Sequence, residues 1–129
     1  MIDQIRHRRS GDTIAEWIPM NVVALEDDAV SFSEIILDGQ EGFGLSGEQL
    51  DAFIAKSIRV LIENGGLPVI GGSGTQFLWL EQSKYGSAPA EVAAAVIAEW
   101  KASGGCDPGL GGLWFALPDP ADPKFVKRA

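Results

Sequence analysis

The side chains with the most reactive chemistry are a single histidine and a single cysteine, His7 and Cys106. His7 lies in the basic segment 6–9, where we expect a mobile arm that would deny it a fixed catalytic geometry. Cys106 follows a predicted helix end and precedes Asp107, and both neighbours oppose thiolate formation. Because Ser-His-Asp and Cys-His catalysis need a positioned histidine, the sequence argues against both.

Two glycine-rich segments, 71–75 and 104–112, could let a ligand approach the backbone closely. Neither matches the Gly-x-x-x-x-Gly-Lys-Ser/Thr pattern of a phosphate loop, and tight turns are the simpler interpretation. These loops are nevertheless the most plausible small-ligand site, because glycine permits close approach of the backbone. The predicted binding residues are Gly72, Ser73, Gly74, Thr75 and Trp79.

A cluster of hard oxygen donors occurs at Glu26, Asp27, Asp28, Asp38 and Glu41. Such oxygens suit calcium or magnesium, but their spacing does not match the twelve-residue calcium loop. A solvated acidic turn is the better interpretation. We therefore expect no metal site and no cofactor.

Composition narrows the class of partner. The chain has 129 residues, a formal net charge of -8 and 46% hydrophobic residues, which fits one domain that folds on its own. Its charge repels phosphate backbones and anionic lipids, the ribonucleoprotein signatures are absent, and no apolar run has the length of a membrane span. We expect a cytoplasmic protein that binds neither nucleic acid nor membrane.

Two helices are predicted clearly. Ser46 and Gln49 have capping-box spacing, and apolar residues then recur every three or four positions until Asn64 and Gly65 end the helix. The second helix begins near Pro89 and ends at Ser103. Its apolar stripe comprises Val92, Val96, Ile97 and Trp100.

The second helix also carries a ridge of small residues opposite that stripe, formed by Ala90, Ala94, Ala98 and Ala102. Alanine is the best helix former, so an ordinary exposed face is one explanation. A smooth ridge also allows two helices to approach closely about a twofold axis. We therefore predict a homodimer through this interface.

Strands are predicted around the helices. Segments 67–70 and 76–82 indicate a hairpin, and 112–117 a central strand. Segment 29–37 indicates another strand, joined through an acidic turn to a weaker strand at 21–25, and 13–18 indicates an N-terminal edge strand. The predicted class is α+β, a two-layer sandwich with a mostly antiparallel sheet and two helices on one face. From residue 29 the order is the ferredoxin-like β-α-β-β-α-β pattern.

The predicted single domain spans residues 1–129, with an ordered core at about 12–118. We expect a mobile basic arm at 1–10 and a proline-containing tail at 119–129, because neither end carries an apolar periodicity.

Two functions fit these observations. Surplus apolar surface without a positioned nucleophile favours a noncatalytic binding or protein-interaction module with a basic protein partner. The alternative is a small enzyme that uses Asp and Glu as acid and base, with its ligand at segment 71–75. A polar pocket holding a carboxylate of raised pKa would favour the enzyme, and a flat apolar patch would favour the binding module.

Overall fold

A computed structural model describes residues 2–129 of the chain. The regular elements of this part are four α-helices, one π-helix, one short 3-10 helix and five strands. In chain order they are α1 (Ile14–Asp27), β1 (Val30–Ser31), α2 (Phe32–Leu37), the π-helix (Asp38–Gly42), α3 (Gly47–Glu63), β2 (Leu67–Gly71), β3 (Trp79–Glu81), the 3-10 helix (Ser83–Tyr85), α4 (Pro89–Ala102), β4 (Trp114–Ala116) and β5 (Val126–Lys127).

The α+β class is confirmed. The five strands form one mixed sheet in the order β1-β4-β2-β3-β5. β2 and β3 form the predicted antiparallel hairpin, and β4 lies inside the sheet, where Phe115 pairs with Val30 on one side and Pro68 on the other. The ferredoxin-like arrangement is not confirmed, and neither is the placement of two helices on one sheet face.

The predictions for the N-terminal strands are wrong, because residues 14–27 form helix α1. Thr13 caps this helix through a complete capping box. Its hydroxyl accepts a hydrogen bond from the Glu16 N–H at 3.2 Å, and its own N–H donates to the Glu16 carboxylate at 2.9 Å. Burial of Ile14, Ile18 and Leu25 along one side holds the helix in place despite an internal proline, Pro19.

The predicted strand 29–37 is also mostly wrong. Only Val30–Ser31 pairs with the sheet, and Ser31 then caps α2 by accepting the Glu34 N–H at 3.0 Å. α2 continues directly into the π-helix. The apolar residues Phe32, Ile35 and Ile36 have helical spacing, and all three are buried in the core.

The two predicted helices are confirmed as α3 and α4. α3 begins after Ser46, although the Ser46 side chain makes no capping hydrogen bond. α4 begins at Pro89, where the missing N–H is harmless. Both helices bury most of their predicted stripes in the main core, which includes Leu50, Phe53, Ile54, Ile58, Leu61, Val92, Val96, Trp100 and Phe115. Ile97 of the α4 stripe is only partly buried.

Both chain ends contact the rest of the fold, although the sequence predicts no element in either. Arg6 forms an isolated antiparallel bridge with Thr13, and the Asp3 carboxylate pairs with the Lys56 ammonium at 2.5 Å. At the other end, β5 adds to β3 in parallel and Val126 is buried in a second apolar cluster with Val69. These contacts arise from single residues, which leave no periodic pattern in the sequence.

Candidate functional site

A cleft of about 450 Å³ lies beside α4 and is the best-formed candidate site. Its floor is apolar and buried, and consists of Phe32, Val96, Trp100 and Leu113. Polar groups line the rest of the cleft, among them Lys84, Glu99 and Asp107. A ligand site typically combines an apolar floor of this kind with a few polar groups that set orientation.

Three side chains form a hydrogen-bonded unit at one end of the cleft. The Tyr85 hydroxyl donates to the Glu99 carboxylate at 2.6 Å, and the Lys84 ammonium lies 2.9 Å from the other oxygen of the same carboxylate. The hydrogen bonds from Lys84 and Tyr85 lower the pKa of Glu99. Burial and the hydrogen bond to Glu99 raise the pKa of Tyr85. Glu99 is therefore ionised and Tyr85 neutral near pH 7.

The loop after α4 supplies a second carboxylate to the cleft. Asp107 accepts the Ser33 hydroxyl at 2.5 Å and the Gly109 N–H at 2.8 Å. These two hydrogen bonds lower the pKa of Asp107. The Trp100 indole N–H donates to the carbonyl of Cys106 at 2.9 Å and fixes the same loop. Cys106 is exposed and lines the cleft.

A second pocket, of about 440 Å³, lies between the N-terminal arm and the π-helix, and we call it the arm pocket. His7 lines it and stacks on Trp17, with ring centroids 4.4 Å apart. His7 therefore has defined contacts in the structure, and the predicted mobility of the arm stays a prediction. Asp38 also lines the pocket, and burial raises its pKa to about 6, although a hydrogen bond from Trp17 opposes that rise.

This grouping is not visible in the sequence, because its members are distant in the chain. Asp38 was interpreted as part of a solvated acidic turn, and His7 as part of a mobile arm. One local signal existed: Thr13 and Glu16 have capping-box spacing, which predicts a helix start at residue 14. That helix is what brings Trp17 against His7 and next to Asp38.

The predicted glycine-loop residues form a tight turn between β2 and β3. The Gly72 N–H donates to the Leu78 carbonyl at 2.8 Å, and the Thr75 N–H and hydroxyl both donate to the Gly72 carbonyl. Gly74 adopts a positive φ of 83°, which suits glycine. These N–H groups are engaged within the turn, which favours the turn interpretation over an anion cradle.

Two of the predicted binding residues, Ser73 and Trp79, do line a common shallow cavity of about 370 Å³. Trp79 packs there against Trp114, with ring centroids 5.3 Å apart. Its buried indole N–H has no hydrogen-bond partner among residues 2–129. Ser73 and Trp79 stay proposed binding residues at this cavity.

The four ridge alanines, Ala90, Ala94, Ala98 and Ala102, are all exposed on α4. Three of them line a shallow groove of about 500 Å³ that α4 shares with α3. The homodimer through this ridge stays a prediction.

Within residues 2–129, no three His, Cys, Asp or Glu side chains are grouped closely enough to hold a metal ion. Over the same range, no helix has the length and apolar character needed to cross a membrane. No family model, curated protein or solved structure matches the chain.

Proposed function

We propose that the chain is a noncatalytic binding module whose cleft beside α4 receives a cationic side chain from a basic protein partner. The observation that carries this proposal is the position of Glu99 and Asp107, two carboxylates of lowered pKa, beside a buried apolar floor. A lysine or arginine can lay its carbon atoms on such a floor while its charged end stays at the polar edge.

Lys84 illustrates the contact that an incoming cation would make. Its ammonium lies 2.9 Å from Glu99 and 5.2 Å from the centre of the Tyr85 ring. The side chains of Lys84 and Glu99 are 58% and 53% exposed, so their ion pair contributes little to stability. A cation from a partner can therefore replace Lys84 at little cost.

The overall charge supports a basic partner. The chain has a formal net charge of -8, and a surface of one sign accelerates encounter with a surface of the other. Asp107 has no cation within ion-pair distance among residues 2–129. The cleft thus offers one carboxylate that no cation of the described chain neutralises.

A matched pair of small probes tests the cleft directly. Phenethylamine and phenylpropionate have similar apolar bodies and opposite charges, and their binding can be followed by NMR shifts of the indole N–H of Trp100. We expect the amine to bind and the acid to bind at least about tenfold more weakly, because the two carboxylates favour a cation. Equal binding of both probes, or none, would contradict the proposal.

Two phenylalanine substitutions serve as test and control. Ser103→Phe adds a ring at a residue that lines the cleft, whereas Ala24→Phe adds the same ring to an exposed alanine of α1 outside it. We expect only Ser103→Phe to abolish binding of the amine. A peptide of alternating leucine and lysine then stands in for the basic protein partner, and its binding to the same two variants is measured. A peptide of alternating leucine and glutamate is the control.

A second candidate function is acid–base catalysis in the arm pocket. The observation that favours it is Asp38, a carboxyl whose pKa burial raises to about 6, in a pocket that His7 also lines. The glycine turn that the sequence assigned to an enzyme does not line this pocket. NMR titration of the Asp38 carboxyl tests this candidate, and a midpoint near the ordinary value of 3.8 would remove its basis.

A further inference from the structure

We propose that the arm pocket binds a small oxyanion group, such as sulfate, phosphate or the carboxylate of a small ligand. In this proposal the guanidinium groups of Arg8 and Arg9 hold the anion, and the Nε2–H of His7 donates a hydrogen bond to it. The pocket is separate from the cleft beside α4, so this site does not depend on the binding function proposed for that cleft.

The arm that carries the two arginines is fixed to the fold on both sides of His7. The Arg8 N–H donates to the Gly42 carbonyl at 2.8 Å, and the His7 N–H donates to the Asp12 carbonyl at 2.7 Å. The His7 ring is stacked on Trp17 with an angle of 13° between the planes. Fixed groups lose little freedom when they bind a ligand, which favours affinity.

The π-helix shapes the opposite wall of the pocket. Such helices are rare and occur frequently at functional sites. This one places Gly42 so close to the arm that an added Cβ would lie 2.6 Å from His7 Nε2. Beyond it, a Cβ on Gly44 would lie 2.7 Å from an Arg8 guanidinium nitrogen. Because both positions are glycine, segment 42–44 can approach the side chains of His7 and Arg8 closely.

The hydrogen bonds of His7 suit an anion rather than a cation. Its Nδ1 accepts the N–H groups of Arg9 at 3.1 Å and Ser10 at 3.3 Å. The proton of the neutral ring therefore lies on Nε2, which becomes a donor. A neutral His7 in this tautomer cannot offer Nε2 to a metal ion without losing that proton.

The two arginines are also free of competing carboxylates. Within residues 2–129 the cations of the ion pairs are Lys56, Lys84, Lys101 and Arg128. Arg8 and Arg9 are thus available, and a planar guanidinium matches the geometry of an oxyanion.

The carboxylates near the pocket give anion binding a pH dependence. Asp38 and Glu41 line the pocket with His7, Arg8 and Arg9, and Glu34 raises the pKa of Asp38 further. A bound anion disfavours ionised Asp38, so binding is coupled to proton uptake by this group. Affinity should therefore rise as the pH falls through about 6.

Sulfate is the probe, because it does not titrate in this range, and chloride at matched ionic strength corrects for screening. Binding is followed by NMR shifts of the arm amides. We expect Arg8→Gln and Arg9→Gln each to weaken sulfate binding about tenfold or more, because each removes a charge-assisted hydrogen bond. Arg59→Gln, at an exposed arginine outside the pocket, is the control and should bind as the wild type does.

Two further variants separate the steps of the proposal. Asp38→Asn should bind sulfate more tightly than the wild type near neutral pH, since the carboxylate that repels the anion is gone. Ser103→Phe blocks only the cleft beside α4 and should leave sulfate binding unchanged. Sulfate binding that is absent, equally weakened by Arg59→Gln, or insensitive to Asp38→Asn would overturn the oxyanion site.

Discussion

The Tyr85 hydroxyl donates a 2.6 Å hydrogen bond to Oε1 of Glu99, which connects a buried ring of the 3-10 helix to the exposed side of α4. The second oxygen, Oε2, lies 2.9 Å from the Lys84 ammonium. With both oxygens engaged, the carboxylate has one orientation at the edge of the cleft. The two partners of Glu99 differ in burial, and they should therefore differ in their contributions to stability.

Tyr85→Phe should destabilise the protein by about 1–2 kcal/mol, because it removes a hydrogen bond to a charged group from a buried side chain. Lys84→Gln is the comparison, and it should cost less than about 0.5 kcal/mol because its ion pair is exposed. Urea unfolding of both variants measures the difference. A larger loss for Lys84→Gln than for Tyr85→Phe would contradict the assignment.

Asp38 should make the protein less stable as the pH rises. Its folded pKa, about 6, lies above its ordinary value of 3.8, so the native state holds this proton more tightly than the unfolded state. Stability is therefore lost as the pH rises from about 4 to about 6. Asp38→Asn should remove this trend and stabilise the protein near pH 7 by about 1 kcal/mol, a value reduced for solvent screening.

Urea unfolding at several pH values checks this expectation. Glu41→Gln is the matched control, because Glu41 also lines the arm pocket but is exposed. The control should keep the wild-type dependence on pH. If Asp38→Asn is no more stable than the wild type near neutral pH, the folded protein does not raise the pKa of Asp38.

The elements that the sequence predicted well are those whose signals lie close together along the chain. In α3 the apolar stripe and the glycine stop at Gly65 occur within one segment, and both survive in the structure. α4 has Pro89 at its first position and a regular stripe to Trp100. Local propensity and packing agree at these positions, so the sequence pattern alone is sufficient to predict both helices.

The elements that the sequence missed depend on contacts between distant segments. α1 contains β-branched residues and Pro19, which made it resemble a strand, and burial of Ile14 and Ile18 outweighs those preferences. The raised pKa of Asp38 depends on burial that no spacing indicates. The arm pocket therefore could not be predicted, since its residues meet only after α1 and the π-helix have formed.

The tail should contribute to stability through one buried residue. Val126 of β5 pairs with Trp79 of β3 and is buried in one apolar cluster with Val69 and Ala116. Val126→Ala should cost about 1–2 kcal/mol, because it removes buried carbon atoms and leaves a gap. Lys124→Ala, at an exposed residue of the same segment, should change little. Thermal unfolding distinguishes them, and equal melting temperatures would support the expectation of a mobile tail.

The ridge on α4 should hold two copies of the chain together. Ala90, Ala94, Ala98 and Ala102 are all exposed, and small side chains let two helices approach closely about a twofold axis. Ala98→Glu would bury an unpaired carboxylate at such an interface, which is costly, so we expect this variant to be a monomer.

Light scattering of the wild type and of Ala98→Glu measures the solution mass. Ala24→Glu is the control, because it places the same charge on an exposed alanine of α1, and it should leave the dimer intact. Circular dichroism confirms that both variants remain folded, which separates a lost interface from a lost fold. A monomeric wild type would refute the ridge interface, and so would a dimer that both substitutions leave unchanged.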